Sequence, residues 1–316
     1  MNDKGRTPAS IQVRGLTRRF GDTVAVAGLD FEVAPGELFG LVGPDGAGKT
    51  TTLRMLAGVL RPSEGDAVLD GASVTDDPEA VKHDLAYMSQ RFGLYTDLTV
   101  AENLAFYADL FRVPRGERET RLERLYAFSN LGAFRDRLAG QLSGGMKQKL
   151  GLSCALIHEP RILLLDEPTF GVDPVSRRDL WRIVHEMVGS GVTAVVSTAY
   201  LDEAERFDRV ALLHAGRLLA VDTPAALAAG HPGELLEVRL AAARAVRGLM
   251  AAQPGVLGAQ LFGDRLHVAV VSATAARPVL LAALAAAGHG EAQVEPLAPT
   301  LEDVFLARIS AAREAA

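Results

Sequence analysis

Residues 43–50 read Gly-Pro-Asp-Gly-Ala-Gly-Lys-Thr, set between an apolar run, Glu37 to Val42, and a stretch from Thr51 to Leu60 whose Leu53, Leu56 and Leu60 recur at helical spacing. This strand, loop and helix context constrains the fold more than any other feature of the 316 residues, because it fits G-x-x-x-x-G-K-[ST] where that motif has its mechanism. Glycines let backbone N–H groups from Gly46 to Thr51 turn inward around phosphate oxygens, and the helix N-terminus adds a favourable potential. Lys49 is expected to bridge the β and γ phosphates, and the Thr50 hydroxyl to ligate Mg²⁺. The candidate nucleotide site is therefore Gly43, Pro44, Asp45, Gly46, Ala47, Gly48, Lys49, Thr50 and Thr51. The motif alone leaves kinases, GTPases and motor ATPases open.

Two further runs narrow the choice. Ile162-Leu163-Leu164-Leu165-Asp166-Glu167-Pro168 reads as a buried strand ending in two carboxylates, a Walker B pattern. Asp166 is expected to hold Mg²⁺ through water, and Glu167 to orient the attacking water, which marks a hydrolase more than a nucleotide kinase. Between these elements, Leu142-Ser143-Gly144-Gly145-Met146-Lys147-Gln148 places a capping serine and paired glycines at the start of a helix whose N-terminus suits an anion.

With these three runs in this order, the chain resembles the ATP-binding cassette (ABC) ATPases from about Ile11 to Val221, roughly two thirds of its length. The resemblance implies that Ser143, Gly144, Gly145 and Gln148 close over ATP bound at a partner's P-loop, so that two cassettes sandwich two ATP molecules. It places Phe20 at the adenine-stacking aromatic, where a ring face is worth about 1 kcal/mol; a core phenylalanine beside a turn is the other reading. Gln90, after Ala86-Tyr87-Met88-Ser89, matches the Q-loop that senses Mg²⁺ and leads to the permease contact. Asp173, in Gly171-Val172-Asp173-Pro174, matches the D-loop at the dimer contact. Glu167, Gln90 and Lys49 are thus the catalytic candidates, and Thr50, Gln90 and Asp166 the metal-binding ones.

One loop departs from the family. In Ser197-Thr198-Ala199-Tyr200-Leu201-Asp202-Glu203-Ala204-Glu205, Ala199 stands where the family has a histidine that contacts the γ-phosphate. Losing one preorganised donor of this kind typically costs about 2.7–4 kcal/mol, or roughly 10²–10³ in rate. An intact signature with a defective switch fits a chain that completes its partner's working site; a homodimer with two slow sites fits equally.

The rest of the chain divides by composition. Ile11–Val13 and Ala25–Val33, separated by Phe20-Gly21-Asp22, read as strands of an N-terminal antiparallel sheet. Asn103–Leu138 reads as two helices divided by Pro114 and Gly116. There Arg112, Arg115, Arg118, Arg121 and Arg124 interleave with Glu117, Glu119 and Glu123, as on a solvated face or a partner surface. Strands at Ile162–Leu165 and Thr193–Ser197 and a strand pair around Arg209–Val221 turning at Ala215-Gly216, alternating with a helix from Pro174 to Val188 and a short one after Ser197, imply an α/β fold with a mainly parallel sheet. After the Gly, Pro and Ala run at 228–233, a β-α-β-β-α-β order ending in a helix from Thr300 implies a small C-terminal α+β, ferredoxin-like domain. The expected division is a disordered N-terminus at 1–10, a cassette at 11–228 with a helical subdomain at about 90–155, a linker at 229–234 and an accessory domain at 235–316.

The net charge of −6 argues against nonspecific nucleic-acid binding. The single cysteine, Cys154, sits among Leu152, Ala155 and Leu156 as a small buried filler. No run of about 18 apolar residues is present, and the first ten residues are polar, so a cytoplasmic chain is expected. Cassette, accessory domain and the final Thr300-Leu301-Glu302-Asp303-Val304-Phe305 together resemble the ATPase subunits of bacterial ABC-2 type exporters of the drug and antibiotic resistance group. Pro44-Asp45 and Met88-Ser89-Gln90-Arg91-Phe92-Gly93-Leu94-Tyr95 are similar to the YbhF-type members. The implied partners are a separate ABC-2 permease and a second cassette, at the cytoplasmic face of the membrane, with ATP and Mg²⁺. Two alternatives are an ABC ATPase acting on ribosomes or DNA, disfavoured by the acidic total, and a regulatory cassette that scarcely hydrolyses.

Overall fold

A computed structural model describes residues 9–90 and 93–314, with side chains to 311. Residues 1–8 of the expected disordered N-terminus, and Arg91 and Phe92, lie outside the described residues. Ala9 and Ser10 do not continue a tail. Ala9 is buried and its carbonyl accepts from Thr193 Oγ1 at 2.6 Å.

The larger unit opens with β1 (Ile11–Phe20) and β2 (Thr23–Val33), a hairpin that turns at Gly21, where φ is 56°. β3 (Leu38–Val42) follows, buried at every residue, then α1 (Lys49–Leu56). That helix starts and stops earlier than the expected 51–60, because Gly58 at φ 65° leaves helical geometry. β4 (Glu64–Leu69), β5 (Ala72–Ser73), α2 (Pro78–His83) and β6 (Leu85–Met88) occupy a stretch for which the sequence suggested no elements. α3 (Val100–Leu110) and α4 (Arg115–Ser129) form the helical subdomain with α5 (Gly144–Leu156). Arg118 pairs with Asp109 of α3, and Arg121 and Arg124 reach Glu159 beyond α5. Three of the interleaved arginines therefore fasten α4 to its neighbours. β7 (Ile162–Asp166), α6 (Pro174–Gly189), β8 (Thr193–Thr198), a 3₁₀ turn at Leu201–Arg206, β9 (Arg209–His214) and β10 (Arg217–Asp222) complete the unit.

Two sheets result. One is antiparallel in the order β2-β1-β4-β5; the other, in the order β10-β9-β3-β8-β7-β6, is parallel from β9 to β6 and antiparallel at β10. Phe31 and Phe39, ring centroids 5.3 Å apart, stack where the two sheets share a core. The order matters for chemistry: β3, β8, β7 and β6 are consecutive neighbours, so the segments leaving their carboxyl ends emerge side by side.

The chain divides into two compact units between Thr223 and Pro224, upstream of the expected linker at 229–234. The residues before Gly230 form α7 (Pro224–Ala229), which packs on the last helix and so belongs to the second unit. That unit runs β11 (Glu234–Arg239), α8 (Ala243–Ala251), β12 (Val256–Phe262), β13 (Arg265–Val270), α9 (Ala273–Ala286), β14 (Gln293–Leu297) and α10 (Leu301–Glu314). Its sheet is antiparallel in the order β12-β13-β11-β14, the ferredoxin-like arrangement the element order implied. No described helix is long and apolar enough to cross a membrane.

Candidate functional site

The carboxyl ends of β3, β8, β7 and β6 converge on one hydrogen-bonded cluster. The loop after β3 needs its glycines. Gly46 and Gly48 have φ of 77° and 101°, and a Cβ on Gly43 would lie 2.2 Å from the Leu213 carbonyl oxygen. Gly48 caps α1 without any side-chain hydrogen bond, which leaves the first-turn amides to the loop side. Lys49, 4% exposed, donates to the carbonyls of Gly43 at 2.7 Å and Pro44 at 3.1 Å, and its Nζ is 3.1 Å from Glu167 Oε1. Pro44, Asp45 and Gly46 are exposed at the loop tip, Ala47 is buried, and Thr51 is half-buried behind Thr50.

The two carboxylates ending β7 have different surroundings. Asp166 Oδ1 accepts from Thr50 Oγ1 at 3.0 Å and Ser197 Oγ at 2.7 Å, while Tyr87 of β6 stands 3.5 Å from Oδ2. Burial, and then the Asp166 charge, push the Tyr87 phenol above its ordinary value, so it stays protonated and can donate. Glu167 takes a left-handed backbone, φ 49°, held by hydrogen bonds from its N–H to Ser197 Oγ at 3.0 Å and to the Ser197 carbonyl at 3.1 Å. Its Oε2 accepts from Gln90 Nε2 at 2.9 Å. Lys49, Thr50, Gln90, Asp166 and Glu167, from three separate segments, thus form one connected cluster, with Ser197 of β8 as a member the sequence did not single out. The signal for Ser197 was its position at the end of a strand neighbouring β7, legible only once strand order is known.

Ser143, Gly144, Gly145, Gln148 and Asp173 lie in a second group, at the starts of α5 and α6. Ser143 caps α5, its hydroxyl accepting from Met146 N at 3.3 Å. Gly145 abuts the start of α6, where a Cβ would meet Ser176 Oγ at 2.2 Å. Asp173 caps α6, accepting from Val175 and Ser176 amides at 3.1 and 3.0 Å; the Ser176 amide first holds its carboxyl below the usual range. Gly144 is exposed and Gln148 half-buried on the same helix start. Phe20 is 48% exposed, with the Arg18 guanidinium 4.6 Å from its ring centroid, so it is not a core residue. Ala199 is half-buried after Thr198, whose carbonyl accepts from Gly43 N at 3.2 Å.

The donor chemistry fits a magnesium nucleotide. Thr50 and Asp166 meet through oxygens, the hard ligands Mg²⁺ prefers, next to an uncapped helix N-terminus and an ammonium suited to phosphate. The parallel sheet, the glycine loop on α1 and the paired carboxylates ending β7 define a P-loop nucleotide-binding fold with a helical subdomain. The ABC transporter domain family matches residues 26–170. Over 229 residues the chain is 53% identical to the probable multidrug ABC transporter ATP-binding protein YbhF of Escherichia coli K12, covering 72% of this chain but only 39% of that protein. It is 35% identical over 300 residues to the daunorubicin resistance ATP-binding protein DrrA3 of Streptomyces coeruleorubidus, covering 94% and 95% of the two chains. A solved ATP-binding subunit of an ABC transporter superposes with a TM-score of 0.63 at 31% identity, over 69% of this chain and 91% of that one. The chain belongs to the ATP-binding proteins of the ABC transporter family.

Proposed function

We propose that the chain binds Mg-ATP and hydrolyses it as one of two cassettes driving a separate ABC-2 type membrane permease, in export of a drug-like or other small amphipathic substrate. The observation that carries the hydrolytic part is the single cluster in which Lys49, Gln90 and Glu167 meet beside Thr50 and Asp166. Mg²⁺ bound by Thr50, Asp166 and Gln90 would supply a Lewis acid at the phosphates. Lys49 offers its ammonium to phosphate oxygens, and the α1 amides of Gly48 to Thr51 hold the anion. Glu167, restrained by Ser197 and Gln90, orients and polarises the attacking water. Phe20 stacks on the base, with Arg18 on the ring. Ser143, Gly144, Gly145 and Gln148, aligned by Asp173 and Ser176, present their helix start to nucleotide held by a second cassette, a copy of this chain or a different one. The names of the YbhF and DrrA3 relatives, a multidrug transporter ATP-binding protein and a daunorubicin resistance ATP-binding protein, support the drug-exporter assignment.

Ala199 favours a second reading, a regulatory cassette that binds ATP and scarcely hydrolyses it. One experiment separates the two: Mg-ATPase of the purified chain, of Glu167→Gln and of Ala199→His. The transport reading expects weak activity lost in Glu167→Gln and raised by Ala199→His, by up to about 10²-fold for one preorganised donor. Activity indifferent to Glu167 overturns the assignment of that residue. Pull-down from detergent-solubilised membranes tests the permease and the second cassette together.

A further inference from the structure

Glu203 is 2% exposed, yet nothing in the proposed reaction uses its carboxylate. Its oxygens gather donors from three segments. Oε2 accepts from Thr169 Oγ1 at 3.0 Å and Thr198 Oγ1 at 2.7 Å; Oε1 accepts from Trp181 Nε1 at 3.1 Å and lies 3.7 Å from Arg177 Nε. Each donor sits beside a working part of the site. Thr169 follows Glu167 by two positions. Thr198 precedes Ala199, accepts from Gly43 N of the phosphate loop on its carbonyl, and accepts from the Tyr200 amide on its hydroxyl at 3.0 Å. Arg177 and Trp181 ride on α6, the helix that Asp173 caps, and the Arg177 guanidinium also lies 4.8 Å from the Tyr200 ring centroid.

An enclosed carboxylate is costly unless its lone pairs are filled, and here they are filled by donors that converge from β8, the Glu167 loop and α6. Moving any one of those segments away breaks its hydrogen bond to the carboxylate that the other two share. At position 199 the alanine can offer only main-chain groups, so whatever this segment contributes depends on where its backbone is held. Thr198 and Tyr200, on either side, are both tied to the Glu203 cluster.

We propose that Glu203 is a positioning residue for nucleotide hydrolysis, the junction through which the phosphate loop, the Glu167 loop, the Ala199 segment and α6 are held in one arrangement and respond together to nucleotide. This rests on the ATPase reading above. A mere fold staple would contribute stability and leave turnover and nucleotide response alone, and the two roles differ in measurable ways.

Trp181, the only tryptophan of the chain, donates to Glu203 and so reports on the junction without any turnover. Titrating the full chain with Mg-ADP should change Trp181 emission. In Thr198→Val the titration midpoint should stay within about twofold while the amplitude falls by about half or more, because the phosphate loop loses its route to Glu203. In Glu203→Gln, kcat should fall about tenfold to hundredfold with KM for ATP within about twofold, the signature of lost positioning rather than lost binding. If Glu203→Gln does not fold, Thr169→Val, which removes one hydrogen bond at nearly constant volume, decides by the same two readouts. Turnover unchanged in the folded variant, or a full emission response in Thr198→Val, overturns the proposal. A wild-type chain with no Glu167-dependent ATPase instead overturns the enzymatic reading, and the Mg-ADP emission response tells that failure apart.

Discussion

Ser197→Ala removes one buried oxygen from between the two carboxylates, and the structure allows its effect to be worked out. Ser197 is 0% exposed; its hydroxyl donates to Asp166 Oδ1 at 2.7 Å and accepts from Glu167 N at 3.0 Å. Neither partner is stranded by the change, since Asp166 Oδ1 keeps Thr50 at 3.0 Å and Glu167 N keeps the Ser197 carbonyl at 3.1 Å. The loss is therefore one charge-assisted hydrogen bond to Asp166 and one arm of the shared Glu167 N–H bond, without an orphaned group, about 2 kcal/mol rather than the larger cost of an unsatisfied buried charge. For a unit of this size that corresponds to a midpoint lowered by about 4–8 °C. Trp181 lies in the larger unit and is the chain's only tryptophan, so thermal unfolding followed by its emission reads that unit alone. ATPase should fall by about tenfold or more, because Asp166 and the strained Glu167 backbone each lose a restraint. A midpoint within about 1 °C of wild type would refute the hydrogen-bond ledger, being well under the expected shift. A more stable but slower variant would refute it too, and would mean that the cluster is held at a cost to the fold.

Gly145→Ala would place a methyl 2.2 Å from Ser176 Oγ and 3.1 Å from Asp173 Oδ2, an overpacking worth about 1–3 kcal/mol; the same Trp181 unfolding measurement checks it, and a wild-type midpoint contradicts the close approach. In the smaller unit, burial raises the Asp303 carboxyl, but hydrogen bonds from His267 at 2.7 Å and from Thr300 outweigh it and hold Asp303 below the usual range. A lowered folded pKa contributes stability that is present above the unfolded value of about 4 and lost as pH falls through the folded one. Asp303→Asn should then cost about 2 kcal/mol near neutral pH, read as faster amide hydrogen exchange along residues 301–311, with the gap to wild type closing in acid; a gap independent of pH contradicts the linkage.

What could be read from the residues alone was whatever chemistry is local in sequence. The glycine loop, the carboxylates ending β7 and the capped start of α5 each place their candidate atoms within a few residues, so spacing and residue type suffice to single them out. The ferredoxin-like unit was legible for a related reason: its strands and helices are separated by clear turns, and element order nearly dictates the sheet. The boundary was not, because Pro, Gly and Ala around 228–233 signal a turn equally well inside a unit as between two; whether α7 packs on α10 is a tertiary fact. The stretch from Glu64 to Met88 carried usable signals, Asp77 accepting from Ala80 N and Pro78 at the start of α2 among them, but its strands are short and their partners distant in sequence.

Ser197 and Glu203 show where residue-level reading stops. Both stand in the run where Ala199 replaces the family histidine, and a serine and a glutamate there look like ordinary strand-end and turn residues. What gives them work is adjacency: β8 lies between β3 and β7, so a hydroxyl at its end faces Asp166, and the turn after it swings Glu203 beneath Thr169 and Trp181. These contacts span 22 to 34 positions in sequence, beyond the reach of any periodicity. The missing histidine and the saturated carboxylate beneath it then bear on one another. A segment that cannot contribute a side chain at position 199 has only its backbone geometry left to select, and Glu203 is the group that fixes that geometry. Ala199→His and Glu203→Gln should accordingly be coupled: the rate gained from the histidine requires the backbone that Glu203 holds, so the gain should shrink when both changes are combined, and strict additivity of the two in ln kcat would show that the switch segment is positioned by something else.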